Sequence, residues 1–96
     1  MYGLAEHHRA SMRAARLISC PGCYSTAAII ALWPLGTAGL LEGAAIVDAK
    51  SGVSGAGKIP SDRTHFSENH GSVAAYGIFA HRHGPEIEQE LGHGVT

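Results

Sequence analysis

Cys20 and Cys23 stand in the stretch Ser19 to Thr26, SCPGCYST, and are the only two cysteines of the chain. A C-x-x-C pair can hold a metal, exchange a disulfide, or present one thiol as a nucleophile. A zinc site needs four ligands. Here there is no second C-x-x-C, and the histidines that could complete a set lack zinc-finger spacing. A dithiol redox site also opens a helix, within a βαβ unit; the extended piece before Cys20 is only Leu17-Ile18. In the third reading Cys23 carries the chemistry. It precedes a run of helix formers, and the free N–H groups and dipole of a helix N-terminus favour an anion. The thiolate is the nucleophilic form of cysteine. Pro21 and Gly22 set a turn that aims the side chain, and Gly22 leaves room for a substrate. The plainer alternative is a small cysteine packed at a helix start.

A second group is His81-Arg82-His83. A histidine suits proton transfer at neutral pH, and an arginine can grip a carboxylate or phosphate with two N–H groups. A solvated loop and an H-x-H metal pair are the competing readings. His7, His8, His65, His70 and His93 read as surface or loop residues without assigned chemistry. Between the two groups, Gly52 to Ile59 nearly matches G-x-x-x-x-G-K-[ST]. Ile59 stands where a magnesium-binding hydroxyl is needed, and Pro60 follows where a helix should begin. What remains is either a plain connector or a loop whose backbone can approach a cofactor or phosphate.

These residues need elements to position them. Glu6 to Arg16 is helix-compatible with a weak apolar face. Tyr24 to Trp33 reads as a buried helix that Pro34 ends, with Ser25 or Thr26 as its cap. Ala44 to Ala49 is a short apolar run and predicts a strand, and Ser72 to Ala80 predicts a second. Residues 50–62 and 64–72 read as loops. His81 to Leu91 enters a last helix with Pro85 at its first position, Glu86 and Glu88 in its first turn, and Gly92 at its end. The pattern predicts an α+β fold.

Composition sets the outer limits. The chain has 96 residues, 45% apolar but only 6% aromatic, so its core is thin. Net charge is −1 with histidines neutral, and no Lys/Arg run recommends nucleic acid or an anionic membrane. Ala27 to Leu35, the longest apolar run, is about half a membrane span. Met1 to Arg16 is polar and has no leader-like apolar region. The expectation is a soluble, cytoplasmic protein with reduced thiols.

Three segments in this order, CPGCYSTAAIIALWPL, IVDAKSGVSGAGK and AAYGIFAHRHGPEIEQEL, resemble N-acetyl-gamma-glutamyl-phosphate reductases. YGLAEHHRASMRAARLIS is similar to the segment that leads into that family's cysteine. The resemblance runs from about Tyr2 to Leu91. It implies that residues 1–96 are part of the catalytic and dimerisation domain of a semialdehyde-dehydrogenase-type enzyme. No G-x-G-x-x-G follows an N-terminal strand, so the family's dinucleotide-binding Rossmann domain is not in this sequence, and an internal fragment without activity of its own is expected, a non-enzymatic remnant being the alternative. The resemblance further implies NADP as cofactor and N-acetyl-glutamyl phosphate as substrate. It makes Cys23 the nucleophile and His83, or else His81, the acid–base group. Arg82 becomes a substrate-anion binder. Ser51, Gly52, Ser54, Gly55, Ala56 and Gly57 form the loop near the nicotinamide. It implies no metal, and a homo-oligomer for the full-length enzyme. Family members usually read Asn-Pro-Gly-Cys-Tyr-Pro-Thr; Cys20 replaces the Asn, on the substrate side of the turn, and Ser25 replaces the second Pro.

Overall fold

The computed structural model describes all residues from Met1 to Thr96. In chain order, four α-helices form: α1 (Ala5–Met12), α2 (Cys23–Thr37), α3 (Phe66–Asn69) and α4 (Gly84–Leu91). A 3-10 turn covers Val53–Ala56. α2, which begins at Cys23, and α4, which follows His81-Arg82-His83, pack on each other.

α1 is an excursion closed at its base. Tyr2 and Ser19 form a parallel bridge. The Gly3 N–H donates to the Ser19 carbonyl at 2.8 Å and the Ser19 N–H to the Met1 carbonyl at 2.9 Å. Gly3 has to be glycine, because a Cβ there would lie 2.6 Å from Ile18 Cγ2 and 2.8 Å from the Ser19 carbonyl oxygen. This closure delivers the chain into the cysteine turn. α1 ends at Met12, short of the expected Arg16. Residues 13–16 turn away through i→i+3 bonds from Ala14 and Ala15; Arg13, Ala14 and Arg16 are exposed and Ala15 is half-buried.

α2 begins at Cys23 and buries Ser25, Ala28 and Ile29 on one face, with Trp33 half-buried one turn further on. That spacing places them on a single stripe. The helix does not end at Trp33 as expected but passes through Pro34 to Thr37. Pro34 removes one N–H, and both it and Ile30, whose carbonyl loses that partner, lie on the exposed side. The Thr37 hydroxyl donates to the Trp33 and Pro34 carbonyls at 3.1 and 3.0 Å, tying down the last turn. The cap also differs from expectation: Gly22 is the N-cap, while Thr26 Oγ1 donates back to the Gly22 carbonyl and Ser25 points elsewhere.

The core is small. Leu4, Ala28, Ile29 and Ile87 are buried, with Tyr2, Trp33, Val47, Leu91 and Val95 packed around them. α4 starts with Gly84 and Pro85 and stops at Gly92, whose φ of +66° is a left-handed cap that lets its N–H donate to the Glu88 carbonyl.

The α+β expectation fails on the sheet, because no sheet forms. Ala44 to Ala49 is reduced to a single parallel bridge between Ala45 and Val95, with Val47 N–H donating to the Thr96 carbonyl at 2.8 Å. Ser72 to Tyr76 has no regular structure, and the chain bends and turns at Gly77 to Ala80 instead of forming a strand. Two apolar runs become a sheet only when they lie side by side, and here each lacks a neighbouring strand. Val73, Ile78 and Phe79 are left exposed. The expected loop at 64–72 contains the one-turn helix α3.

Candidate active site

Cys23 is the first residue of α2, and it is exposed. The turn before it is held from the opposite side by the start of α4. The His83 imidazole lies against Gly22: a Cβ on Gly22 would sit 2.7 Å from His83 Cε1 and 3.0 Å from Nε2. Glycine at position 22 is therefore what admits the ring beside the cysteine. His83 N–H donates to His81 Nδ1 at 3.2 Å, which orders the H-R-H turn. The two imidazoles meet edge to face at 4.9 Å between centroids. His83 Nδ1 is buried and has no hydrogen-bond partner. Burial, and then the charges of His83 and Arg82, hold the His81 imidazole below the ordinary histidine range.

Glu86, one turn along α4, anchors this arrangement. Its carboxylate accepts from the Tyr2 hydroxyl at 2.6 Å and from Ser25 Oγ at 2.7 Å. Burial alone would raise its pKa. The Tyr2 and Ser25 hydroxyls, the nearby His83 charge and the Gly22 backbone N–H outweigh burial and hold it below the usual carboxylate value. Tyr2 is pushed up instead, by burial and by donating to that carboxylate. One side chain thus joins the N-terminal segment, the cysteine turn and the first turn of α4. The sequence reading credited Glu86 only with favouring a helix dipole. Its three-way role depends on partners up to 84 positions away, which no local spacing reveals.

Tyr24 extends the site toward the glycine loop. Its ring meets His81 edge to face at 5.3 Å between centroids and His83 at 6.5 Å. Its hydroxyl donates to Ser51 Oγ at 2.8 Å. Tyr24, Lys50, Ser51, Tyr76, His81 and Arg82 line part of a cleft of 720 Å³, which Cys23 and His83 do not line. Arg82 is exposed and has no acidic partner. Gly52, Ser54, Gly55, Ala56 and Gly57 are all exposed, and their hydrogen bonds stay within their own loop. Cys20 is exposed and free, and the two cysteines form no disulfide. The predicted residues therefore fall into one cluster, Cys23, His81, Arg82, His83 and Ser51, linked through Tyr24 and Glu86. Cys20 and the outer glycine loop stand at its margin.

His7 and His8, expected to be surface or loop residues, are both half-buried: His8 meets Glu90 of α4, and His7 is stacked between His8 and Trp33. No helix is long and apolar enough to cross a membrane.

The turn thus brings together an exposed thiol at a helix start and an imidazole, with a guanidinium that has no acidic partner beside them. Residues 23–95 match the model of the semialdehyde dehydrogenase dimerisation domain, and the chain belongs to that family. Among curated proteins it is similar to N-acetyl-gamma-glutamyl-phosphate reductases. The relative from Shouchella clausii is 51% identical over 92 residues, covering 95% of this chain and 27% of the relative. That from Desulforudis audaxviator is 50% identical over 93 residues, covering 96% and 27%. That from a Thermoanaerobacter species is 47% identical over 91 residues, covering 95% and 26%. The chain thus spans about a quarter of the length of these relatives.

Proposed function

We propose that this chain supplies the cysteine–histidine half of an N-acetyl-glutamyl-phosphate reductase, acting in arginine biosynthesis in the cytoplasm. The observation that carries the proposal is the His83 ring seated on Gly22, immediately before Cys23. His83 takes the thiol proton. The Cys23 sulfur attacks the acyl carbon of N-acetyl-glutamyl phosphate, and the carbon–oxygen bond to phosphate breaks. The departing phosphate leaves with that proton from His83, and Cys23 holds the acyl group as a thioester. Arg82, free of any acidic partner, binds an anionic end of the substrate. Tyr24 and His81 wall the side facing the cleft. After reduction of the thioester carbon, the hemithioacetal oxyanion collapses to the semialdehyde and releases Cys23 as thiolate, and a solvent proton taken up through His83 restores the thiol.

NADP, in its reduced form, supplies the hydride when bound. The exposed glycines at 52, 55 and 57 fit its nicotinamide end, because the space at Gly57 is open and only the Ser54 and Ser51 hydroxyls of the same loop approach Gly52 and Gly55. The pyrophosphate needs a glycine turn opening a full helix, and the four-residue 3-10 turn at 53–56 does not provide one. The match to a dimerisation domain, together with exposed Val73, Ile78 and Phe79, supports a homo-oligomer.

The test is a chimera in which this chain replaces its matching segment in the Shouchella clausii relative. Cys23→Ser is expected to lower turnover by orders of magnitude, whereas Cys20→Ser leaves most of it. Equal losses from the two changes would reject the assignment.

A further inference from the structure

At the C-terminal end of α4, His7, His8 and Glu90 bring their ligating atoms within 4.8 Å of one another. The residues come from two elements, α1 and α4, far apart in sequence. Neighbouring residues on a regular helix point about 100° apart. Here His8 departs from helical geometry, with φ −114° and ψ 16°, so that α1 kinks. The two imidazoles consequently stack, with centroids 4.3 Å apart and planes 9° apart. His8 Nε2 lies 2.5 Å from Glu90 Oε2. His7 is held on its other side by Trp33, at 4.3 Å between centroids. Its Nδ1 is buried with no hydrogen-bond partner, the state expected of a polar cluster that lacks one member.

We propose that His7, His8 and Glu90 form a binding site for a zinc ion, separate from the Cys23 site. Two neutral imidazoles and one carboxylate suit a borderline divalent metal, with water at the fourth position. In a tetrahedral zinc site with ligands at about 2.0–2.1 Å, neighbouring ligand atoms lie about 3.4 Å apart. Binding therefore opens the 2.5 Å spacing between His8 Nε2 and Glu90 Oε2 and turns one of the two stacked imidazoles so that both ring planes meet at the ion. Occupancy fastens α1 onto α4, the helix whose Glu86 holds the cysteine turn. The site thus acts as a staple for a chain whose core is thin. It does not depend on the acyl-transfer reading.

The test uses the 96-residue chain with Cys20→Ser and Cys23→Ser, which removes the thiols as competing ligands. Zinc chloride is titrated calorimetrically and by the fluorescence of Trp33, the sole tryptophan, stacked on His7. The expected result is one equivalent bound with a micromolar or tighter Kd, a saturating change in Trp33 emission, and a Tm raised by several degrees. His8→Ala and Glu90→Gln are each expected to weaken binding at least 10-fold, whereas His65→Ala and His70→Ala leave it unchanged. Zinc affinity equal in all five chains, or binding without a Trp33 response, would overturn the site. Should His8→Ala or Glu90→Gln lose helical circular dichroism, diethylpyrocarbonate footprinting of the parent chain decides. Zinc protection of His7 and His8 but not of His65 and His70 supports the site; protection of neither His7 nor His8 rejects it.

Discussion

His83 and Gly22 are in van der Waals contact, the imidazole occupying the space that any side chain at position 22 would need. Gly22→Ala therefore displaces either the ring or the cysteine turn. A misplacement of about 1 Å at a reacting centre can cost about 10²-fold in rate. In the chimera, Gly22→Ala is expected to lower kcat by that order with the helical circular dichroism retained. Unchanged kcat would mean that His83 takes no part from its present position.

Glu86 sets a pH dependence of stability. Its pKa is held below the ordinary carboxylate value in the folded chain. The folded state then binds fewer protons than the unfolded state in that range. Stability is complete above the unfolded carboxylate value, about pH 4.3, and falls as pH drops through the lower folded value. Tyr2 has the opposite sense: its raised pKa gives stability that is present below the ordinary tyrosine value and lost as pH rises above about 10. Glu86→Gln should flatten both limbs in a chemical-denaturation series across pH. An acid limb of unchanged steepness in Glu86→Gln would show that other carboxylates produce it.

Ser25 is fully buried and gives its hydroxyl proton to Glu86. Ser25→Ala leaves that carboxylate oxygen short of a donor and should cost about 1–2 kcal/mol, read as a lower denaturation midpoint at constant m. Ser25→Pro, the residue usual in the similar enzymes, should cost no more. Position 25 lies in the first turn of α2, and its N–H makes no backbone hydrogen bond that proline would remove. A much larger loss in Ser25→Pro than in Ser25→Ala would show that the turn has adapted to serine.

What the sequence discloses here follows from how far each signal reaches. Pro21-Gly22 before a run of helix formers places Cys23 at a helix start, and Pro85 with Gly92 brackets α4 nearly to the residue. These signals act within one or two turns of backbone. The run through Pro34 depends on which face of α2 is solvated. The apolar runs at 44–49 and 72–80 depend on a neighbouring strand that the fold does not supply. Glu86 stands plainly in the first turn of the last helix, but its bonds to Tyr2 and Ser25 span 84 and 61 positions. His7 and His8 gain their partner Glu90 only through the kink at His8 and the docking of α4.

The measurement that bears most directly on the proposed chemistry is acylation of Cys23 without reducing cofactor. The chimera is mixed with N-acetyl-glutamyl phosphate in the absence of NADPH, quenched in acid and digested for mass spectrometry. One N-acetyl-glutamyl group is expected on the peptide containing Cys23, labile to hydroxylamine as a thioester, with one equivalent of phosphate released. It should be lost in Cys23→Ser and formed slowly in His83→Ala. Phosphate release in a burst with no acyl group on Cys23, or the label on Cys20, would contradict the account.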